Sequence, residues 1–116
     1  MVLANRAEQA VPSDASYRIA EGGFEHLSLY RARLPAAFSP LRRAYRIVGA
    51  TTVGRAVPTD LCGERPPALV LGNEETGLDP RTLAACDAIA TIPGSGRMQS
   101  LNVAAAAAIL IYLATR

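Results

Sequence analysis

Two short stretches of this 116-residue chain hold the residue types that could do chemistry: Leu71-Gly72-Asn73-Glu74-Glu75-Thr76-Gly77-Leu78, and Pro93 to Asn102, PGSGRMQSLN. Both combine glycines, which let a ligand approach the main chain because no Cβ intervenes, with polar side chains able to hold or orient a substrate. Neither is a nucleotide cradle. GNEETG has no Lys-Ser/Thr after its second glycine, and its two glutamates would repel a phosphate. GSGRMQ lacks the third glycine of a dinucleotide fingerprint, and the chain ends before an acidic residue could follow about 20 positions later.

The elements that must position these loops follow from pattern and punctuation. Met1 to Ala4 reads as the remnant of a strand. Ser13 is a plausible N-cap for a helix through SDASYRIAE, which Gly22-Gly23 would end. LSLYRAR (27–33) alternates like a strand, LPAAFSPLRRA reads as a helix interrupted or begun afresh near Pro40, and YRIVGATT as the next strand. Val53 to Pro67 is a proline- and glycine-rich loop. ALVLG is a continuous apolar run of the kind buried in a parallel sheet. Asp79-Pro80 supplies an N-cap and a first-position proline for a helix through RTLAAC. AIATI is a further strand, and the last helix begins near Asn102 or Val103. Strand and helix alternate, which predicts an α/β domain with a mostly parallel sheet flanked by helices. Ligands of such sheets collect at the carboxyl ends of the strands, where both loops lie.

Composition narrows the class. The length suits one domain, 1–116. Half of the residues are hydrophobic and 19% charged, a globular balance. All twelve basic residues are arginine, yet the net charge is only +2, too small an excess to argue nucleic-acid binding by itself. Cys62 and Cys86 lack CxxC spacing, so no zinc site or disulfide framework is indicated, and a cytoplasmic location is the expectation. The start does not read as a signal peptide, so none is expected, and the longest apolar run, Val103 to Leu113, falls short of the roughly 20 residues that span a bilayer. The expected protein is soluble, with no metal and no membrane partner. Tyr17, Tyr30, Tyr45 and Tyr112 are scattered and form no stacking platform.

LVLGNEETGL followed by IPGSGRMQSLNVAAAAAILIYL resembles the second and third motifs of the SpoU/TrmH family of RNA 2′-O-ribose methyltransferases, of the SPOUT class, and YRIAEGGFEHLSLYRA resembles the segment before them. The resemblance covers most of the chain. It implies a C-terminal deep trefoil knot, S-adenosylmethionine as cofactor, RNA (tRNA or rRNA) as substrate, and a homodimer. Gly72, Ile92 and Leu101 would line the adenine pocket, with Leu71, Pro93 and Gly94 beside them. Ser100 and Asn102 would stand near the transferred methyl and the target ribose, as catalytic residues. The last helix would be buried on all sides, between its own sheet and a second subunit, which would explain its lack of charge.

Local alternatives stay open beside these roles. Asn102 also suits the N-cap of the last helix. Glu74, counted with the cofactor loop, either accepts backbone N–H bonds or faces the partner subunit. Arg97 meets an RNA phosphate or points into water. The family's first motif, an asparagine, a glycine and an arginine thought to help activate the ribose hydroxyl, has no counterpart: Asn5-Arg6 lacks the glycine and the spacing. The expectation is therefore a domain truncated at its N-terminus. Its function is either methyl transfer or, as the alternative, a non-catalytic cofactor-binding or dimerisation module that has lost the catalytic arginine. His26, the only histidine, is a base by residue type, but it falls at the join GFEHLSL and is read as structural.

Overall fold

The computed structural model describes residues 1–7, 9–52, 61–95 and 101–116. They group into two compact units, Met1–Ala37 and Phe38–Arg116.

In the first unit, β1 (Val2–Ala4) pairs in parallel with β2 (Tyr30–Ala32). Between them α1 (Asp14–Ile19) starts at Ser13, whose hydroxyl accepts from the Ser16 N–H at 3.3 Å while the Ser13 N–H donates to the Ser16 hydroxyl. Two orphan groups of the first turn are thereby satisfied, as the serine at that position predicts. Gly22, at φ +83°, leads into a 3-10 turn over Gly23–His26. Strand pairing begins only at Tyr30, so 27–29 of the predicted strand lie outside it. His26 closes the turn and belongs to this unit.

The second unit is a three-stranded parallel sheet in the order β4-β3-β5, from β3 (Arg46–Ala50), β4 (Pro67–Val70) and β5 (Ala88–Ala90). A short helix, α2 (Phe38–Leu41), precedes it. Residues 34–37 do not join α2, and Pro40 sits in its first turn, where a missing N–H costs nothing because those donors have no intrahelical partner. α3 (Pro80–Ala84) is capped by Asp79, whose carboxylate accepts from the Thr82 N–H at 2.9 Å and the Thr82 hydroxyl at 2.7 Å. α4 (Val103–Thr115) follows β5.

Strand alternation divides the sheet's faces. Val48 and Ala90 form a core with Leu61 and with Leu110 of α4, flanked by half-buried Ala50, Leu69, Leu71, Ala88 and Ile92. Gly49 faces the other way, where a Cβ would lie 2.8 Å from Cys86 Sγ and 3.4 Å from the Leu78 and Leu83 side chains. Glycine is required there because the α3 side packs directly on the strand. Burial raises the Cys86 thiol's pKa above its ordinary value, so this cysteine is a packing group rather than a nucleophile.

Burial along α4 is one-sided in the single chain. Only Leu110 is buried, whereas Ile109, Ile111 and Tyr112 are exposed. Among the described residues the helix covers the sheet with one face and leaves another apolar face exposed, the face that the expectation gave to a second subunit. The C-terminal segment to which the resemblance assigns the knot includes residues 96–100, which lie outside the described residues.

Asp87 ties the amino ends of the strands together. It exchanges backbone and side-chain bonds with Ile47, accepting the Ile47 N–H at 2.8 Å, and its other oxygen accepts Arg42 Nε at 2.7 Å. The Ile47 N–H first, then Arg42, hold its carboxyl below the usual carboxylate range. A depressed folded pKa contributes stability that is complete above the unfolded value of about 3.9 and is lost as pH falls through the folded value. Asp87→Asn is therefore expected to lower Tm at pH 7, with the gap to the parent closing on acidification below that value. A constant gap in thermal melts across pH would show that the effect is not ionic.

Candidate functional site

Because β3, β4 and β5 are parallel, their carboxyl ends, Ala50, Val70 and Ala90, lie along one edge of the sheet. The two loops singled out from sequence leave β4 and β5 there.

The loop after β4 folds back on itself. Asn73 and Gly77 exchange backbone bonds, at 3.3 Å from the Asn73 N–H and 2.8 Å from the Gly77 N–H. The Asn73 side-chain oxygen accepts from the Glu75 N–H at 2.7 Å and the Thr76 N–H at 3.4 Å. That side chain builds the turn from within, as asparagine does at such positions, and Gly77 at φ +69° closes it. The return brings the Gly77–Leu78 backbone onto Gly72, where a Cβ would lie 2.3 Å from the Gly77 carbonyl carbon and 2.4 Å from the Leu78 nitrogen. Sequence reasoning assigned Gly72 to close approach by a ligand. The structure shows close approach by its own loop.

In the loop after β5, Ile92 is half-buried against the core, and Pro93, Gly94 and Ser95 are exposed. A Cβ at Gly94 would meet nothing within 4 Å among the described residues. The described chain resumes at Leu101, which is 45% exposed. Arg97 and Ser100 lie outside the described residues.

The two loops meet at the start of α4. Asn102 Oδ1 accepts from the Ala104 N–H at 2.8 Å, and Glu74 Oε1, reaching across from the other loop, accepts from the Val103 N–H at 3.2 Å. Two of the helix's orphan donors are thus satisfied by side chains, and a carboxylate at a helix N-terminus is favoured by the helix dipole. The N-cap expected of Asn102 is present, and of the two roles open to Glu74 the acceptance of a backbone N–H is present. Asn102 spends its oxygen on the cap, so its Nδ2 donors remain available to a substrate oxygen, and capping and substrate positioning are compatible in one side chain.

Thr91 was not foreseen from sequence. It is 6% exposed, and its hydroxyl has no hydrogen-bond partner among the described residues. In sequence it is one threonine inside the apolar run AIATI, with nothing to mark it as unpaired. Among the described residues no group of three or more His, Cys, Asp or Glu could hold a metal ion, and no helix is long and apolar enough to cross a membrane.

The model of the SpoU rRNA Methylase family matches residues 1–112. The chain belongs to that family. Among curated SpoU relatives, the 23S rRNA (guanosine-2′-O-)-methyltransferase RlmB of Acinetobacter baylyi is 32% identical over 99% of this chain and 48% of its own. This chain spans about half or less of the length of such relatives. The AdoMet-bound rRNA methyltransferase from Sinorhizobium meliloti superposes with a TM-score of 0.83 at 28% identity, covering 97% of this chain and 44% of that one. The SpoU methyltransferase AviRb from Streptomyces viridochromogenes, solved with AdoMet, gives 0.82 at 29% identity, covering 97% and 45%. The resemblance to SpoU/TrmH proteins, and the parallel sheet flanked by helices, are thereby established.

Proposed function

We propose that this chain is the S-adenosylmethionine-binding core of an RNA 2′-O-ribose methyltransferase acting on tRNA or rRNA in the cytoplasm. The observation that carries this reading is the Glu74-to-Val103 bond, which joins the two family motifs into one site at the carboxyl edge of the sheet. The residues present fit the cofactor. Leu71 and Ile92 offer apolar surface beside the exposed main chain of Pro93 and Gly94, and Leu101 presents an uncovered apolar side chain, as an adenine requires. The Thr91 hydroxyl just after β5 adds a polar group without a partner among the described residues.

When bound, S-adenosylmethionine supplies the methyl group. The chain supplies placement: Glu74 and Asn102 hold the start of α4 against the loops, and the Asn102 Nδ2 donors are suited to orient a ribose oxygen for in-line attack. Ser100 is proposed to act beside Asn102, and Arg97 to meet an RNA phosphate. A second copy of the chain is proposed to cover the exposed face of α4.

Asn102→Asp separates the two jobs of Asn102. Aspartate keeps the N-cap acceptor but removes the amide donors. The melting temperature is expected to stay within a few degrees of the parent, while transfer of tritiated methyl to bulk rRNA or tRNA falls about 10²-fold, the usual cost of losing one positioned donor. Calorimetric titration with S-adenosylhomocysteine tests the cofactor site independently. No binding by the folded chain would remove the reading, and binding without any methyl transfer by the parent would favour the non-catalytic module.

A further inference from the structure

We infer that Thr91 is a cofactor-binding residue whose hydroxyl takes its hydrogen-bond partner from the nucleoside half of S-adenosylmethionine, an inference that rests on the cofactor reading proposed above. Thr91 is 6% exposed, so bulk water does not reach it, and among the described residues its hydroxyl is the one buried side-chain polar atom without a hydrogen-bond partner. Thr82 shows the usual arrangement: it is 2% exposed, and its hydroxyl donates to Asp79 Oδ2 at 2.7 Å. A buried hydroxyl left unpaired destabilises the fold, because its bonds to water are lost on burial and nothing replaces them. A partner from outside the chain removes that cost.

Strand register places the hydroxyl. Gly49 of β3 pairs with Val70 of β4 and with Ile89 of β5. The Thr51 N–H donates to the Ala90 carbonyl at 3.0 Å, which carries the β3–β5 pairing past Ala50. Side chains alternate between the two faces of a sheet. Continued to the carboxyl edge, the register therefore sets Gly72 and Thr91 on either side of Thr51, in one row on the face of Gly49 rather than on that of the Val48–Leu110 core. The loop after β4 returns over this same face, since a Cβ at Gly49 or at Gly72 would meet Leu78.

The position suits a nucleoside. Two strand spacings, about 10 Å, separate Thr91 from Gly72, and Ile92, Pro93 and Gly94, the stretch proposed to lie beside the adenine, follow Thr91 directly. A hydroxyl both donates and accepts, so it can pair with an adenine ring nitrogen, the adenine amino group or a ribose hydroxyl. The apolar surface of Leu71 and Ile92 belongs to the other face of the sheet, so Thr91 brings a polar contact to the side where the apolar residues bring none.

The test sets thermal melts of the ligand-free chain beside calorimetric affinities for S-adenosylhomocysteine and 5′-methylthioadenosine, for the parent, Thr91→Val, Thr91→Ser and the contrast Thr82→Val. Valine keeps the shape of threonine and removes the hydroxyl, and its two effects at position 91 are expected to have opposite signs. The ligand-free Tm should rise by about 2–5 °C, because an unpaired buried hydroxyl is gone. Both affinities should fall about 3- to 10-fold, the usual worth of one neutral hydrogen bond. Thr91→Ser keeps the hydroxyl and should bind within about twofold of the parent. Thr82→Val loses a paired hydroxyl, so a lower Tm with unchanged affinity is expected. A lowered Tm in Thr91→Val would show that its hydroxyl is satisfied within the chain, and unchanged affinities would show that it is satisfied by water or by nothing; either result overturns the inference. Weaker binding of S-adenosylhomocysteine with unchanged binding of 5′-methylthioadenosine would move the contact to the amino-acid half and overturn the nucleoside assignment. A folded parent that binds neither ligand refutes the cofactor reading itself, and the role of Thr91 with it.

Discussion

Gly72→Ala is expected to destroy the cofactor site while leaving the sheet in place. The added Cβ would fall 2.3 Å from the Gly77 carbonyl carbon and 2.4 Å from the Leu78 nitrogen. These are backbone atoms, which cannot swing aside as a flexible side chain can, so the whole return of the loop must move. Its movement breaks the paired Asn73–Gly77 bonds and withdraws Glu74 from the Val103 N–H. The two loops then no longer share the start of α4. Affinity for S-adenosylhomocysteine should drop by about 100-fold or more, which is about 2.7 kcal/mol, with the far-ultraviolet circular dichroism nearly unchanged. Gly94→Ala is the control. A Cβ there meets nothing within 4 Å among the described residues, so unchanged thermal stability is expected and a loss of affinity would then report direct contact with the ligand. Affinity in Gly72→Ala within twofold of the parent would mean that closure of this loop does not build the site.

Leu110→Ala should cost the second unit a large share of its stability. Leu110 is the only buried residue of α4, 2% exposed, and packs with Val48, Leu61 and Ala90. Truncating a buried leucine costs about 2–5 kcal/mol, against total stabilities of about 5–15 kcal/mol for ordinary domains. The urea midpoint should fall accordingly, or the chain should fail to fold. The neighbouring Ile111 gives the contrast, because it is 54% exposed. Ile111→Asp is expected to leave the monomer's unfolding within about 0.5 kcal/mol but to shift the mass seen by light scattering from dimer to monomer. A parent that is monomeric at micromolar concentration would refute the proposed role of the second copy. Unfolding of an already monomeric Ile111→Asp would show that the chain itself buries this face.

The sequence by itself determined what depends on a few adjacent residues. Ser13, Asp79 and Asn102 each cap the helix predicted for them, because an N-cap needs only a short side-chain acceptor and the two or three N–H groups that follow it. ALVLG and AIATI were legible as strands because a parallel strand covered on both faces shows as a short apolar run between turn residues. The motif pair at 71–78 and 93–102 marked the candidate site, since clustered glycines and amides after an apolar strand stand out in the sequence itself. The length of β2 was not legible, because pairing with β1 alone decides that the strand starts at Tyr30 rather than at Leu27. Nor was the start of α2 at Phe38, since its Leu-Pro-Ala-Ala lead-in has helical composition and no local stop. Only tertiary structure decided that Gly72 is glycine for the sake of Gly77 and Leu78, that Glu74 reaches 29 positions along the chain to Val103, and that one face of an uncharged helix stays uncovered. The Glu74–Val103 bond joins segments distant in sequence, and the return of the loop onto Gly72 and the exposure along α4 likewise depend on what approaches in space, which a one-dimensional pattern does not record.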